Sequence, residues 1–252
     1  MIKHKAHTAL VTGSTQGIGK AIAIDFANNG IDVIITGRNQ KNLNNVLQEL
    51  SSYDIKAYSI RADLNDLNGI TTISKYISDN NLLVDILVNN AAYIHPKTEV
   101  IDFDMAEWET VINVNLTSAV KLIKTLLPSM IKNKYGKIIN MSSIGGRKGA
   151  AGRSAYRATK AAIISITESL ASEVKKYGID VNCICPGSVL TEGYITAFGN
   201  NFHTNSSIPM DKSKMMDPSE IAKICSFLVK EESSAITGAV IDAYGTSNPL
   251  FI

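Results

Sequence analysis

Acidic and basic residues nearly cancel in this chain, and cysteine and tryptophan are scarce. Lys and Arg number 25 against 23 Asp and Glu, a formal net charge of +2. Nothing in that balance calls for nucleic acid or an anionic membrane as a partner. The three cysteines, Cys183, Cys185 and Cys225, are too few for a disulfide framework, and without a nearby histidine they make no zinc site. No metal is expected; the cysteines read as small apolar side chains in a strand and a helix, in a reducing compartment. No run of about 18 apolar residues is present, so no membrane span is expected. The opening MIKHKAHTALVTG enters a glycine-rich loop without the apolar stretch of a secretory signal. Cytoplasmic location is the expectation. Repeats, low-complexity tracts and linkers are also missing, which leaves residues 1–252 as one domain.

What the chain has is alternation. Short apolar runs (TALVT, DVIIT, AYSI, DILVN, KIINM, VNCIC, AVIDA) are separated mostly by stretches with helical spacing, such as Leu43, Val46, Leu47 and Leu50. Continuous rather than alternating apolar runs suit strands covered on both faces. The pattern predicts an α/β fold: a doubly wound, Rossmann-like parallel sheet of about seven strands with helices on both faces. Residues 190–216, LTEGYITAFGNNFHTNSSIPMDKSKMM, break it. A loop this long reads as a substrate lid, with a surface insertion as the alternative.

Three local patterns carry chemistry. The first strand runs into TGSTQGIGK, with Gly13, Gly17 and Gly19 before helical spacing resumes. Residues without a Cβ let backbone approach a phosphate, and a following helix N-terminus attracts an anion; a plain tight turn is the alternative. Tyr156 and Lys160, in AYRATK, share a helical face. A cation beside a phenol favours tyrosinate and so makes a general acid/base, although exposed Tyr–Lys pairs at this spacing are also common. The second strand ends in Gly37 and Arg38, where an acid would bind a ribose diol and an arginine suits a 2′-phosphate.

Taken in order, the motifs resemble the short-chain dehydrogenase/reductases over essentially the whole length, in a ketoacyl reductase-like single-domain form. They are TGSTQGIG (12–19), NNAA (89–92), Asn115 in NVNL, Ser143 thirteen positions before Tyr156, YRATK (156–160), PGSVLT (186–191) and ITG (236–238). The resemblance implies that Tyr156 transfers a proton at the substrate oxygen, Ser143 hydrogen-bonds that oxygen, Lys160 lowers the Tyr156 pKa and holds the nicotinamide ribose, and Asn115 anchors a water relay. Asn113 is the other candidate for that asparagine. A dinucleotide would be held by Gly13, Ser14, Gln16, Gly17, Ile18 and Gly19, by Arg38 and Asn39, by Asp63 and Leu64, by Asn90 and Ala91, and by Pro186, Gly187, Val189 and Thr191. Ala92 replaces a family glycine, and the ending IDAYGTS (241–247) departs from the family pattern.

The expected cofactor is NADP, with NAD as the alternative; Gln16 stands where phosphate-preferring relatives often carry a second cation. The expected substrate is a small carbonyl or alcohol, with a carrier-bound 3-oxoacyl thioester among the candidates. Lys132, Lys134, Lys175 and Lys176 would then offer a face to an acidic carrier. A non-catalytic dinucleotide sensor is the competing function. His95 reads as an ordinary loop histidine, with a contact to substrate as the alternative. Small apolar groups on more than one side of the helices over 115–133 and 154–177 lead us to expect a homotetramer.

Overall fold

Each apolar run becomes a strand: β1 (Thr8–Val11), β2 (Asp32–Gly37), β3 (Ala57–Arg61), β4 (Ile86–Asn89), β5 (Gly136–Met141), β6 (Ile179–Pro186) and β7 (Val240–Ala243). They form one sheet in the order β3-β2-β1-β4-β5-β6-β7 with every pairing parallel. The computed structural model describes residues 7–198 and 214–245. Most of the expected lid, 199–213, therefore lies outside the described residues, as do positions 246 and 247 of the C-terminal departure.

The strands sort their side chains with period two, as pleated backbone must. Ala9 and Val11 join one core with Ile22 and Phe26 of α1 (Gly17–Asn28), Leu43 of α2 (Gln40–Leu50) and Ile221 of α8 (Pro218–Leu228). Leu10 points the other way, into a second core with Ile73 of α3 (Leu67–Asp79), Leu122 of α5 (Ser118–Asn133) and Leu170 of α6 (Ser154–Val174). Leu10, Ile22, Phe26, Leu43, Ile73 and Leu122 are all essentially inaccessible, each burial contributing about 1.5–3 kcal/mol. Ala171 of α6 belongs to the second core. The cysteines are buried and free of disulfides, and Tyr244 packs on Cys183 and Cys185.

The sequence predicts one helix over 115–133. In the structure α4 (Met105–Ile112) passes through a π-helical turn, Asn113–Thr117, before α5 begins. Such a turn adds a residue to the helical ladder and redirects the side chains around it. β1 pairs with both β2 and β4, so the connections diverge at the carboxyl edge between β1 and β4. An open α/β sheet places its ligand crevice there.

Candidate active site

The loop after β1 is shaped by close approaches. Gly13 has φ +62°, and a Cβ on it would stand 2.9 Å from Ala91 Cα. A Cβ on Gly19 would stand 2.4 Å from the Gly13 carbonyl oxygen and 2.5 Å from Asn90 Nδ2; both positions need glycine. Asn90 Nδ2 donates to the carbonyls of Thr12 (2.9 Å) and Gly13 (3.2 Å). Thr12 Oγ1 accepts from the N–H groups of Asn90 and Ala91, both at 3.0 Å. The β1 and β4 ends are thereby laced together, and Thr12, unremarked in the sequence, is the knot. Helix α1 starts at Gly17, Ile18 and Gly19 with no side-chain cap from Gln16 and no acid in its first turn. Its first N–H groups remain available to an anion, which fits a dinucleotide pyrophosphate.

One expected donor is otherwise occupied. Ser14 is fully buried; its hydroxyl donates to Val11 O at 2.8 Å and accepts from Thr36 N at 2.9 Å. That side chain ties the loop to β2 rather than facing a ligand. Asn39 Oδ1 caps α2 by accepting from Asn42 N at 3.1 Å. Past the β2 end lies a cavity of about 420 Å³ lined by Arg38, Arg61, Asp63 and Asp66 among others. Arg61 was not anticipated; it pairs in register with Gly37, and its Nε donates to Arg38 O at 3.2 Å. The acids there are turned to backbone: Asp63 accepts from Asn65 N at 3.0 Å and Asp66 caps α3 by accepting from Asn68 N at 2.9 Å. Leu64 is half-buried beside them. On the far wall, Pro186 ends β6, Gly187 N donates to Ala243 O at 2.8 Å, and Val189 is buried and bridged to Met216. Thr191 stands 3.1 Å from where a side chain at Gly17 would begin. It leads into α7 (Glu192–Phe198), where its Oγ1 accepts from Tyr194 N.

The chemical cluster hangs from β5 and α6. Ser143 follows β5, its Oγ accepting from Gly145 N at 3.0 Å and lying, with the edge of the Tyr156 ring, within 3.4 Å of where a side chain on Gly145 would begin. Lys160 is buried; its Nζ donates to Met141 O at 2.8 Å and lies 5.6 Å from the Tyr156 ring centroid. Burial pushes the Lys160 ammonium down to about 8. Burial also pushes the Tyr156 phenol up, while Ser143, Arg157 and Arg153 pull it down. In the chain alone, then, the downward pull comes from Ser143 and two arginines, with Lys160 one turn further on. Asn115, inside the π turn, is buried: its Oδ1 accepts from Tyr93 N at 2.6 Å, and its Nδ2 donates to Tyr93 O at 3.0 Å and to Thr159 Oγ1 at 3.3 Å. The alternative, Asn113, is exposed. Ala92 is exposed too, so its extra methyl crowds nothing. His95 lies in the loop after β4 and is fully buried, edge-on to Phe103, with Nδ1 2.6 Å from Pro96 O and Nε2 accepting from Tyr156 N at 3.4 Å.

Residues 7–198 match the family model for short chain dehydrogenase. The chain belongs to that family. Similar short-chain dehydrogenases include the 3-oxoacyl-acyl-carrier-protein reductase of Aquifex aeolicus, 34% identical over 245 residues (97% of this chain, 98% of that one). Dehydrogenase/reductase SDR family member 6 of Aquarana catesbeiana is 35% identical over 236 residues, covering 91% and 92%. Among solved structures, an actinorhodin polyketide ketoreductase with NADPH superposes with TM-score 0.88 at 26% identity (95% of this chain, 96% of that). A Brucella melitensis 3-oxoacyl-acyl-carrier-protein reductase with bound NAD gives 0.83 at 31% identity (96% and 91%). Membership of this oxidoreductase family, together with the laced loop and the Ser143–Tyr156–Lys160 cluster, favours an enzyme over a sensor.

Proposed function

We propose that the chain is a single catalytic domain that interconverts a carbonyl and an alcohol with NADP(H), using Tyr156 as general acid/base. The observation that carries this is the grouping of Ser143 and Tyr156, both within 3.4 Å of where a side chain on Gly145 would begin, with Lys160 Nζ 5.6 Å from the Tyr156 ring, at the sheet edge where the glycine loop opens. Bound, the nicotinamide supplies or accepts the hydride. Tyr156 gives its phenolic proton to the carbonyl oxygen in reduction and takes it back in oxidation. Ser143 donates to the same oxygen and orients it. Lys160 holds a ribose and adds positive charge beside the phenol. Asn115 keeps the π turn open and Tyr93 in place. Val189 and Thr191 hold the carboxamide end, Asp63 and Leu64 the adenine, and Asn90, Ala91, Pro186 and Gly187 the walls between.

NADP(H) is favoured over NAD(H) because Arg38 and Arg61 line one cavity whose acids are already engaged by backbone N–H groups. The relatives include a ketoreductase named with NADPH and a reductase named with NAD, so the arginines decide. A 3-oxoacyl thioester is among the substrates the relatives' names support. Lys132, Lys134, Lys175 and Lys176 are all exposed, and Gly178 packs against Lys134 O, so the four lie together where α5 and α6 end. Buried unpaired cysteines are in keeping with the cytoplasm, and we assign a homotetramer from the family resemblance.

The test is a panel of carbonyls and alcohols assayed with both cofactors. NADP(H) is expected to exceed NAD(H) in kcat/KM by about 10-fold or more, the size of a charge-assisted contact. Arg38→Ala should erase the preference through loss of NADP(H) efficiency alone. Preference for NAD(H) in the wild type would remove the phosphate assignment, and no turnover of any carbonyl would remove the enzyme reading.

A further inference from the structure

The helix that carries Tyr156 begins without a cap of its own. Arg153 stands at the N-cap of α6, and its side chain makes no capping bond. The first turn of a helix leaves its N–H groups without partners inside the helix. The Tyr156 N–H finds its partner across the interior, donating to His95 Nε2 at 3.4 Å. The histidine ring is fully buried and edge-on to Phe103, with ring centroids 4.7 Å apart. Its Nδ1 lies 2.6 Å from Pro96 O. A carbonyl only accepts, so Nδ1 carries the proton and Nε2 keeps its lone pair for the Tyr156 N–H. Further bonds dock the same loop on the same helix start: Arg153 Nη1 donates to His95 O, and Thr98 N donates to Gly152 O at 3.1 Å. The other side of the Tyr156 backbone is held too. Its carbonyl accepts from Thr159 Oγ1 at 2.7 Å, which accepts in turn from Asn115 Nδ2 at 3.3 Å, and Asn115 holds Tyr93 through both N–H and C=O.

Taking an imidazole out of water is costly unless both nitrogens find partners. Here both do, and one of the two is the backbone of the residue that handles the proton. We infer that His95 is a positioning residue for the reaction: from the loop after β4 it fixes the main chain of Tyr156, and so aims the phenol at the substrate oxygen. The inference rests on the carbonyl–alcohol function above and adds to it the group that aims its general acid. A misplaced proton donor costs rate even where binding survives. The hold lasts only while Nε2 is unprotonated, because a proton there sets N–H against N–H and puts positive charge at a helix N-terminus. The charged and titratable groups around the ring are Arg153 and Tyr156 of α6 and Glu107 of α4, the last bonded to Tyr93 OH at 2.8 Å. Burial, with Arg153 nearby, holds the imidazole below its ordinary 6.5 against the opposing pull of Pro96 O and Glu107.

Two substitutions separate the acceptor from the ring. His95→Phe keeps an aromatic ring beside Phe103 and removes the acceptor; His95→Gln gives up the ring and keeps an oxygen at about the reach of Nε2. With NADPH and the carbonyl that the panel finds best, His95→Phe should lower kcat about 10-fold and leave the KM for NADPH unchanged. His95→Gln should recover most of that loss. Wild-type kcat should fall as pH drops below 6.5, and neither variant should show that limb. Melting temperatures establish that both variants are folded. Wild-type kcat in His95→Phe overturns the inference. So does a loss of kcat and cofactor affinity together in both variants, in step with their melting temperatures, since that is what a merely structural ring would give. Exchange of the Tyr156 amide hydrogen, read by NMR, needs no substrate. It should be slow in the wild type, about 10-fold faster in His95→Phe and slow again in His95→Gln. Equal exchange in all three, or ring nitrogen shifts that place the proton on Nε2, overturns the inference whatever the kinetics. If no carbonyl is turned over, the carbonyl–alcohol function fails, and the exchange rates alone decide whether His95 holds Tyr156.

Discussion

At Lys160 the fold works against its own stability. The ammonium is buried with one hydrogen bond, to Met141 O, and its pKa falls from 10.5 to about 8. Below pH 8 both folded and unfolded chains are protonated there, and the folded state carries the whole penalty, about 3 kcal/mol. Between pH 8 and 10.5 the folded chain sheds the proton first, so the penalty fades. Lys160→Met should therefore lose activity yet melt no lower than wild type at pH 7. The wild type should gain on the variant as pH rises from 8 to 10.5; a wild type that loses ground over that range would contradict the burial argument. Tyr156 is held in the opposite sense, its phenol raised by burial. Alcohol oxidation needs the phenolate and should climb with pH, whereas carbonyl reduction needs the phenol and should not. Tyr156→Phe keeps the ring and loses the proton, so turnover should fall about 100-fold or more with NADP binding intact by fluorescence titration. Near wild-type turnover would mean that the proton comes from elsewhere.

At the scale of an element, α8 depends on its first turn. Asp217 accepts from Ser219 N at 2.8 Å, and Glu220 reaches back to accept from Asp217 N at 2.8 Å, with Pro218 opening the helix. This capping box aligns a helix that packs on α1, and the Ser226 hydroxyl donates to the Asp25 carboxylate between them. Asp217→Ala should cost about 1 kcal/mol. Because α1 carries the anion-binding turn, the loss should also appear as weaker cofactor binding. Chemical denaturation measures the first and titration the second; an unchanged denaturation midpoint would show that the cap contributes nothing. Asn115 illustrates the limit of reading elements from sequence. The sequence predicts a helix beginning at 115, whereas helix runs on both sides of a π turn there. The π turn arises because Asn115 finds Tyr93 and Thr159 across the interior, partners far off in the chain.

For the whole molecule, the open question is assembly. Val120 on α5 is 40% exposed and Phe227 on α8 is 48% exposed, while α6 presents Ala161, Ser165 and Ser169 outward. Small outward residues let a second helix approach closely, and apolar ones favour its doing so. Light scattering at micromolar concentration should report a homotetramer, or at least a dimer, through α5 and α6. A stable monomer would refute this, and Val120→Glu should weaken the assembly if α5 lies within it.

Sequence alone determined the strands, because seven apolar runs between helical stretches can be buried only as a covered parallel sheet. It also determined which loop is glycine-rich and which tyrosine has a lysine one turn on, since those relations are local. The tertiary structure decided what distance along the chain concealed. Ser14 turned inward to β2, Arg61 came beside Arg38 through strand register, and His95 was buried against the Tyr156 backbone. The same holds for the arginines of residues 142–160, which look alike in sequence. Arg147 meets Asp242 and Arg157 meets no acid among the described residues. A charge has a partner or lacks one only once the chain has folded and brought distant residues within a few ångströms.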